Sequence, residues 1–198
     1  MEKYFQEGGI FRGKKSSSGR LAGRATAAGS LPEFVEAAFD GDPARYPLVL
    51  HLYPSIAHYD GRGANLSWLQ ELPDPVTTAV WRNWVEVHPE TARKLGLADG
   101  DGVIVSSPSG SIEAHVAYHP GIAQGVAAMP LGQGHARFGK TAEGRGGNSF
   151  ALLPAATQAG CAGFPLQSTR VALAKASLKT RLVRTAHPEG QWKIGNVM

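Results

Sequence analysis

The chain has 198 residues, a formal net charge of +4 and 42% hydrophobic residues, enough for one globular domain with a moderate core. A single cysteine, Cys161, excludes a disulfide framework and any all-cysteine iron–sulfur or zinc site built from this chain alone. No apolar run approaches a membrane span, and the N-terminus lacks the apolar region of a secretory signal.

Residues 1–44 read as a short apolar stub, "YFQEGGIF", then a linker and a short helix. Arg12, Lys14, Lys15, Arg20 and Arg24 cluster with no acid between Glu7 and Glu33. The stretch shows no periodicity and no interleaved aromatics, so a solvated linker is expected and nucleic acid is not. "LPEFVEAAFDGD" (31–42) has helical apolar spacing and a glycine stop. "YPLVLHLYP" is a compact apolar run bounded by prolines, expected as a buried strand. "SIAHYDGRGANLSWLQELPDPVTT" follows as a long loop with a helical turn around Trp68 to Leu72.

The next part is the most regular. "NWVEVH" reads as a strand, and "PETARKLGL" as a short helix with Pro89 in its first turn and Gly96 at its end. "VIVSS" and "SIEAHVAY" alternate as half-buried antiparallel strands joined by the turn chemistry of "SPSG". Asp99 and Asp101 are expected as turn formers, since calcium would need a longer oxygen-rich loop. Of the seven histidines only His115 and His119 have HxxxH spacing, and they fall in and just after the expected strand "SIEAHVAY", where side chains four apart are not neighbours as they are on a helix, so no metal site is expected. "MPLGQGHARFGKTAEGRGGNSF" (129–150) holds six glycines, a density that strands and helices do not tolerate. It is a long loop, and such loops in compact domains are commonly functional. "SFALLPAATQAG" offers a helical turn or two, and "QSTRVALAKA" a last strand. Residues 177–198 form a basic, weakly patterned tail. Several short strands and long glycine loops indicate a mainly β protein, a closed or nearly closed barrel.

At "HPETARKLGLADGDGVIVSSPSGSIEAHV", with "GQGH" beyond it, the chain resembles the C-terminal dinucleotide-binding domain of molybdopterin oxidoreductases, the dimethyl-sulfoxide-reductase superfamily. The stretch "YDGRGANLSWLQELPDP" looks closest to polysulfide-reductase-like and alternative-complex-III-like large subunits. The resemblance covers residues 45–176 and implies a six-stranded double-psi β-barrel of the aspartate-decarboxylase-like kind. It implies a domain that closes over a bis-(molybdopterin guanine dinucleotide) cofactor and supplies neither the metal ligand nor a catalytic residue.

By that resemblance three loops meet the cofactor. The first carries Tyr53, Ser55, His58, Asp60, Gly61, Arg62 and Asn65. The second carries Gly132, Gln133, Gly134 and His135. The third contribution is Asn148, with Gln167 just before the last strand. Glycines let backbone N–H groups approach a pyrophosphate, and basic or amide side chains complete the contact. Cys161 is expected as an incidental thiol, because the family's molybdenum ligand lies far upstream.

Two substitutions fit a branch that keeps the barrel without the cofactor: Ser55 where many relatives carry arginine, and "LPAATQ" where they carry an acid. The implied partners are the remaining domains or subunits of such an oxidoreductase, including an iron–sulfur subunit and a membrane anchor in a bacterial cell-envelope complex. "MEKYFQEGGIFRG" resembles the stretch preceding this domain in full-length subunits, so the chain is expected to be the C-terminal piece of a larger subunit. Two other readings stay open: a cofactor-free structural barrel in a quinol-oxidising complex, and a stand-alone barrel that binds peptide or protein.

Overall fold

The computed structural model describes residues 38–155 and 164–185. The expected stub and linker, most of the helix at 31–42, Cys161 and the tail beyond 185 lie outside the described residues.

Six strands close into a barrel: β1 (Leu48–Tyr53), β3 (Trp84–Val87), β4 (Gly102–Ser106), β5 (Ser111–Tyr118), β6 (Val126–Pro130) and β7 (Thr169–Lys175). Around it the hydrogen-bonded order is β1-β6-β3-β5-β4-β7, closing from β7 back to β1. The six-stranded barrel expected from the sequence is therefore present. Its pairing is mixed. β1 runs parallel to β6 and β3 parallel to β5, while β3–β6, β4–β5, β4–β7 and β1–β7 are antiparallel.

Side-chain alternation explains why these segments form strands. Leu48, Leu50 and Leu52 of β1 point inward, as do Val103 and Val105 of β4. They join Val85, Val87, Val116, Met129 and Val171 in one buried core. β1 is buried on alternate residues, while all four residues of β3 are buried. The reason lies in a small sheet outside the barrel, where β2 (Ala79–Val80) pairs antiparallel with β8 (Val183–Arg184). Ala79 and Leu182 cover Trp84 and Ala117, so the outer face of β3 and β5 gains a second apolar cluster.

Residues 177–185 of the expected tail are described, and they turn back onto the barrel. The Ala176 amide donates to the Gly102 carbonyl, and Arg184 donates from Nη2 to Asp99 Oδ1 at 2.9 Å. The helices are short. α1 spans Ser67–Gln70, and α2 spans Pro89–Lys94, where His88 Nδ1 accepts the Glu90 amide as the cap and Pro89 takes the first position. Asn148 caps a 3-10 turn at Ser149–Leu152 by accepting the Phe150 amide.

Candidate functional site

Parallel pairing decides where the loops gather. β1 and β6 lie side by side in the same direction, so the loops leaving Tyr53 and Pro130 emerge at one end of the barrel. β3 is antiparallel to β6 and begins at that end, which brings Trp81, Arg82 and Asn83 there too. The glycine-rich segment beyond β6 then crosses the same end.

The structure brings the first and second loops together. Ser55 accepts the His58 amide at 2.9 Å, turning the chain back on itself. Gly132 sits at φ +112° with its α-carbon so close to His58 that an added Cβ would lie 2.5 Å from the His58 Cβ. Gly61 faces His135 in the same way. Gln133 is buried and exchanges hydrogen bonds with Gln70 of α1, at 2.9 and 3.3 Å. Gln70 also donates to the Ala64 carbonyl at 2.7 Å, tying α1 to both loops.

The glycine segment is laid against these loops just as closely. Gly134, at φ +88°, donates to the Arg145 carbonyl at 2.7 Å. Asn65 Oδ1 accepts the amides of Thr141 and Ala142, at 3.1 and 3.4 Å. Asn83 brackets Gly147, accepting its amide at 3.1 Å and donating to its carbonyl at 3.3 Å. Arg145 places its guanidinium 4.8 Å over the Trp81 ring. Trp81 and Tyr59 hold left-handed backbone, φ +62° and +56°, which bulky side chains adopt only under constraint from their surroundings.

Two imidazoles stand apart in their chemistry. His58 and His135 each bury an Nε2 without a hydrogen-bond partner. Burial lowers the His58 pKa, and the neighbouring His135 lowers it further, against a smaller opposing effect of the Leu69 backbone. His135 stacks on Phe138 with ring centres 4.7 Å apart. Asp60 and Arg62 are exposed and paired through Nε and Nη2, at 2.9 and 2.7 Å. That pairing holds the Asp60 carboxyl down to about 2.

Tyr53 behaves differently from its loop neighbours. Its hydroxyl donates to Glu86, a buried carboxylate that also receives the Trp84 indole N–H at 2.9 Å and lies 2.6 Å from His119 Nδ1. Burial and the Glu86 charge raise the phenol far above its ordinary range. Asn148 and Gln167 are exposed, Asn148 at the head of its turn and Gln167 in the turn before β7. Gln70, Trp81, Asn83 and Arg145 were not among the residues expected at this face. Gln70, an amide inside the apolar run "WLQEL", was the one legible signal.

Fold and loop geometry define a six-stranded barrel domain presenting glycine-laid loops at one end. The chain belongs to the family of the molydopterin dinucleotide binding domain, whose family model matches residues 62–169, more than half of its length. The expected family is therefore the one found.

Among curated relatives, the menaquinone reductase molybdopterin-binding-like subunit of Nitratidesulfovibrio vulgaris is 37% identical over 92 residues, covering 42% of this chain and 13% of that protein. The arsenate respiratory reductase molybdopterin-containing subunit of Shewanella sp. is 31% identical over 118 residues, covering 59% and 14%. The chain thus spans about one seventh of the length of these relatives. Acetylene hydratase from Pelobacter acetylenicus aligns in structure with a TM-score of 0.48 at 17% identity, over 61% of this chain and 17% of that one.

Proposed function

We propose that this domain closes one side of a molybdopterin guanine dinucleotide site in a molybdopterin oxidoreductase, holding and shielding the cofactor without catalysing alone. The observation that carries the reading is the loop face. Two buried imidazole nitrogens without partners sit there beneath a rim of arginine and amide side chains.

These residues fit the group. A dinucleotide presents pyrophosphate oxygens and polar ring edges, which call for N–H donors, for acceptors, and for backbone that can come close. Arg62, Asn65, Asn148 and Gln167 would supply side-chain donors, and the imidazoles of His58 and His135 would supply acceptors. The cofactor, when bound, supplies the redox chemistry. The chain's own residues orient it and keep water from its edge. Ser55 positions His58, and the Gln70–Gln133 pair fixes the two loops beneath the rim. An iron–sulfur subunit and a membrane anchor complete the proposed complex, of the polysulfide-reductase-like kind.

A second reading has its own observation. Gly132 and Gly134 spend their closeness on neighbouring loops, and Asn65 and Asn148 spend their Oδ1 atoms on backbone amides. A barrel kept as scaffold after loss of the cofactor would look the same in these contacts.

One experiment separates the two: molybdenum and released guanosine monophosphate per polypeptide, in native complex purified through this chain. Near-stoichiometric amounts of both support the cofactor-closing role. Their joint absence from an intact complex refutes it and leaves the scaffold.

A further inference from the structure

On the flank of the barrel, between the glycine segment and the returning segment 176–185, lies a polar cavity whose charged groups the proposed cofactor contact does not use. Its volume is about 310 Å³, at the lower end of the roughly 300–1,000 Å³ typical of small-molecule sites.

Alternation and register explain how it forms. Ile112, Ala114 and Val116 of β5 face the core, so Glu113 and His115 stand on the outer face. Trp84 pairs with His115, which brings Arg82 and Asn83, just before β3, alongside Glu113. Residues 144–147 make one wall. There Gly146 and Gly147 approach Asn83 and Ile112 so closely that an added Cβ would lie 2.4 and 2.9 Å from them. Leu178 and Thr180 make another wall: Leu178 packs over Gly102, and the Thr180 carbonyl accepts from His115 Nε2 at 3.0 Å.

Polar groups in this cavity are short of partners. Arg82 and Glu113 are the charged residues that line it, and neither side chain makes a hydrogen bond or ion pair among the described residues. His115 is 3% exposed and has Nδ1 without a partner. In the neutral ring the bond to Thr180 puts the proton on Nε2, so Nδ1 is an acceptor.

Nearby charges are spent or directed elsewhere. Arg145 lies over Trp81 and donates to the Thr141 carbonyl. Asp74, which shares a smaller cavity with Arg82, accepts the amides of Val76 and Thr77 and the Thr77 hydroxyl. Glu143, Lys179 and Arg181 are exposed, and none of them lines the cavity.

That set of groups narrows the ligand. A guanidinium calls for a carboxylate or similar acceptor, and a carboxylate calls for N–H donors. A plain anion would satisfy Arg82 but meet Glu113, and a plain cation would do the reverse. A nucleobase would want an aromatic face to stack on, and no Phe, Tyr or Trp lines the cavity. A small molecule carrying both charges satisfies both walls at once.

We propose that this cavity binds a small zwitterion of the free α-amino acid class, its carboxylate on Arg82 and its ammonium on Glu113. His115 Nδ1 is the further acceptor, and Leu178 is the apolar contact for the ligand's side chain. The inference does not rest on the cofactor-closing role, which uses the rim of Arg62, Asn148 and Gln167.

The test is titration of the full chain, followed by NMR, with the common L-amino acids as probes. The expected result is saturable binding of at least one, with a dissociation constant on the order of 1 mM or below and shifts at residues 82, 113 and 178–180. Its N-acetyl derivative and its methyl ester each lack one charge, and each should bind roughly tenfold more weakly or worse. Arg82→Gln and Glu113→Gln should each weaken binding by about the same factor while the unfolding midpoint stays at the wild-type value, since neither side chain has a partner to lose.

Absence of binding by every amino acid up to about 10 mM overturns the proposal. So does an N-acetyl derivative that binds as tightly as its parent, which marks an anion site only, or an ester that does so, which marks a cation site. Unchanged affinity in both variants places the binding elsewhere and overturns it too. Molybdenum content of the native complex reads the cofactor role separately, and neither result alters the other.

Discussion

Replacing Gly134 by alanine tests whether the glycine segment is held by close backbone approach or merely by flexibility. At Gly134 an added Cβ would lie 2.1 Å from the Asn148 nitrogen, 2.3 Å from the Gly147 carbonyl carbon and 2.5 Å from the Asn148 Cα, all backbone atoms. Backbone cannot rotate away as a side chain can, so the two loops must part. Left-handed φ costs an L-residue roughly 1–2 kcal/mol. Forcing an extra carbon into a filled space adds about 1–3 kcal/mol. Gly144 provides the control, because it also has positive φ, +69°, yet nothing lies within 4 Å of its would-be Cβ. There only the strain applies, offset by about 0.4–1 kcal/mol from the stiffer unfolded chain. With that offset applied to both variants, Gly134→Ala should lower stability by roughly 1–4.5 kcal/mol and Gly144→Ala by about 1 kcal/mol or less. Urea unfolding at matched slope reads the difference as a shift in midpoint. Equal midpoints for the two variants would refute the account of the loop.

Three further outcomes follow from the site. Glu86→Leu should cost roughly 3–5 kcal/mol in urea unfolding, because Tyr53, Trp84 and His119 lose their common partner, and Glu86→Gln should cost about 1–2 kcal/mol because it retains an acceptor. His58 has a folded-state pKa below its unfolded value, so its contribution is present above about pH 6.5 and is lost as pH falls through the folded pKa; His58→Gln should narrow the difference in urea midpoint between about pH 5 and 8. Arg62→Gln should raise the Asp60 titration, followed by NMR, from about 2 toward the ordinary carboxylate range.

Local pattern and long-range pattern were not equally legible. "SPSG" between two alternating runs specifies a hairpin, and β4 and β5 pair across it from Gly102–His115 to Ser106–Ser111. Pro89 and the capping His88 mark α2 within a few residues. By contrast, β2 and β8 are two residues each and pair across about a hundred positions, too short and too distant for periodicity to register. Their role, covering Trp84 and Ala117, becomes visible only once the barrel has placed those side chains on its outer face. The glycine density of residues 129–150 was plain, but composition cannot say which surface a glycine approaches. At Gly132 and Gly134 that surface is the protein's own loops. Tyr53 shows the same limit, since nothing local to "HLYPS" reveals that its hydroxyl meets Glu86, 33 residues on.

That the loops pack on one another bears on how such a domain would bind. A face built from loops that order only around their ligand would lose binding free energy to the freezing of backbone and side chains. Here much of that ordering is completed in folding. The Gln70–Gln133 exchange, the Asn65 bonds to residues 141 and 142, and the Asn83 bracket on Gly147 tie three segments to one another through the protein's own groups. Each contact is polar and internal, so it competes for no group that a ligand needs at the exposed rim of Arg62, Asn148 and Gln167. Tight glycine packing beneath an exposed polar rim is therefore compatible with a working lid, because spending closeness inside the protein is what makes the rim rigid. If the domain closes over a cofactor as proposed, Gly134→Ala should weaken that binding by loosening the loops, with the rim's own groups left intact.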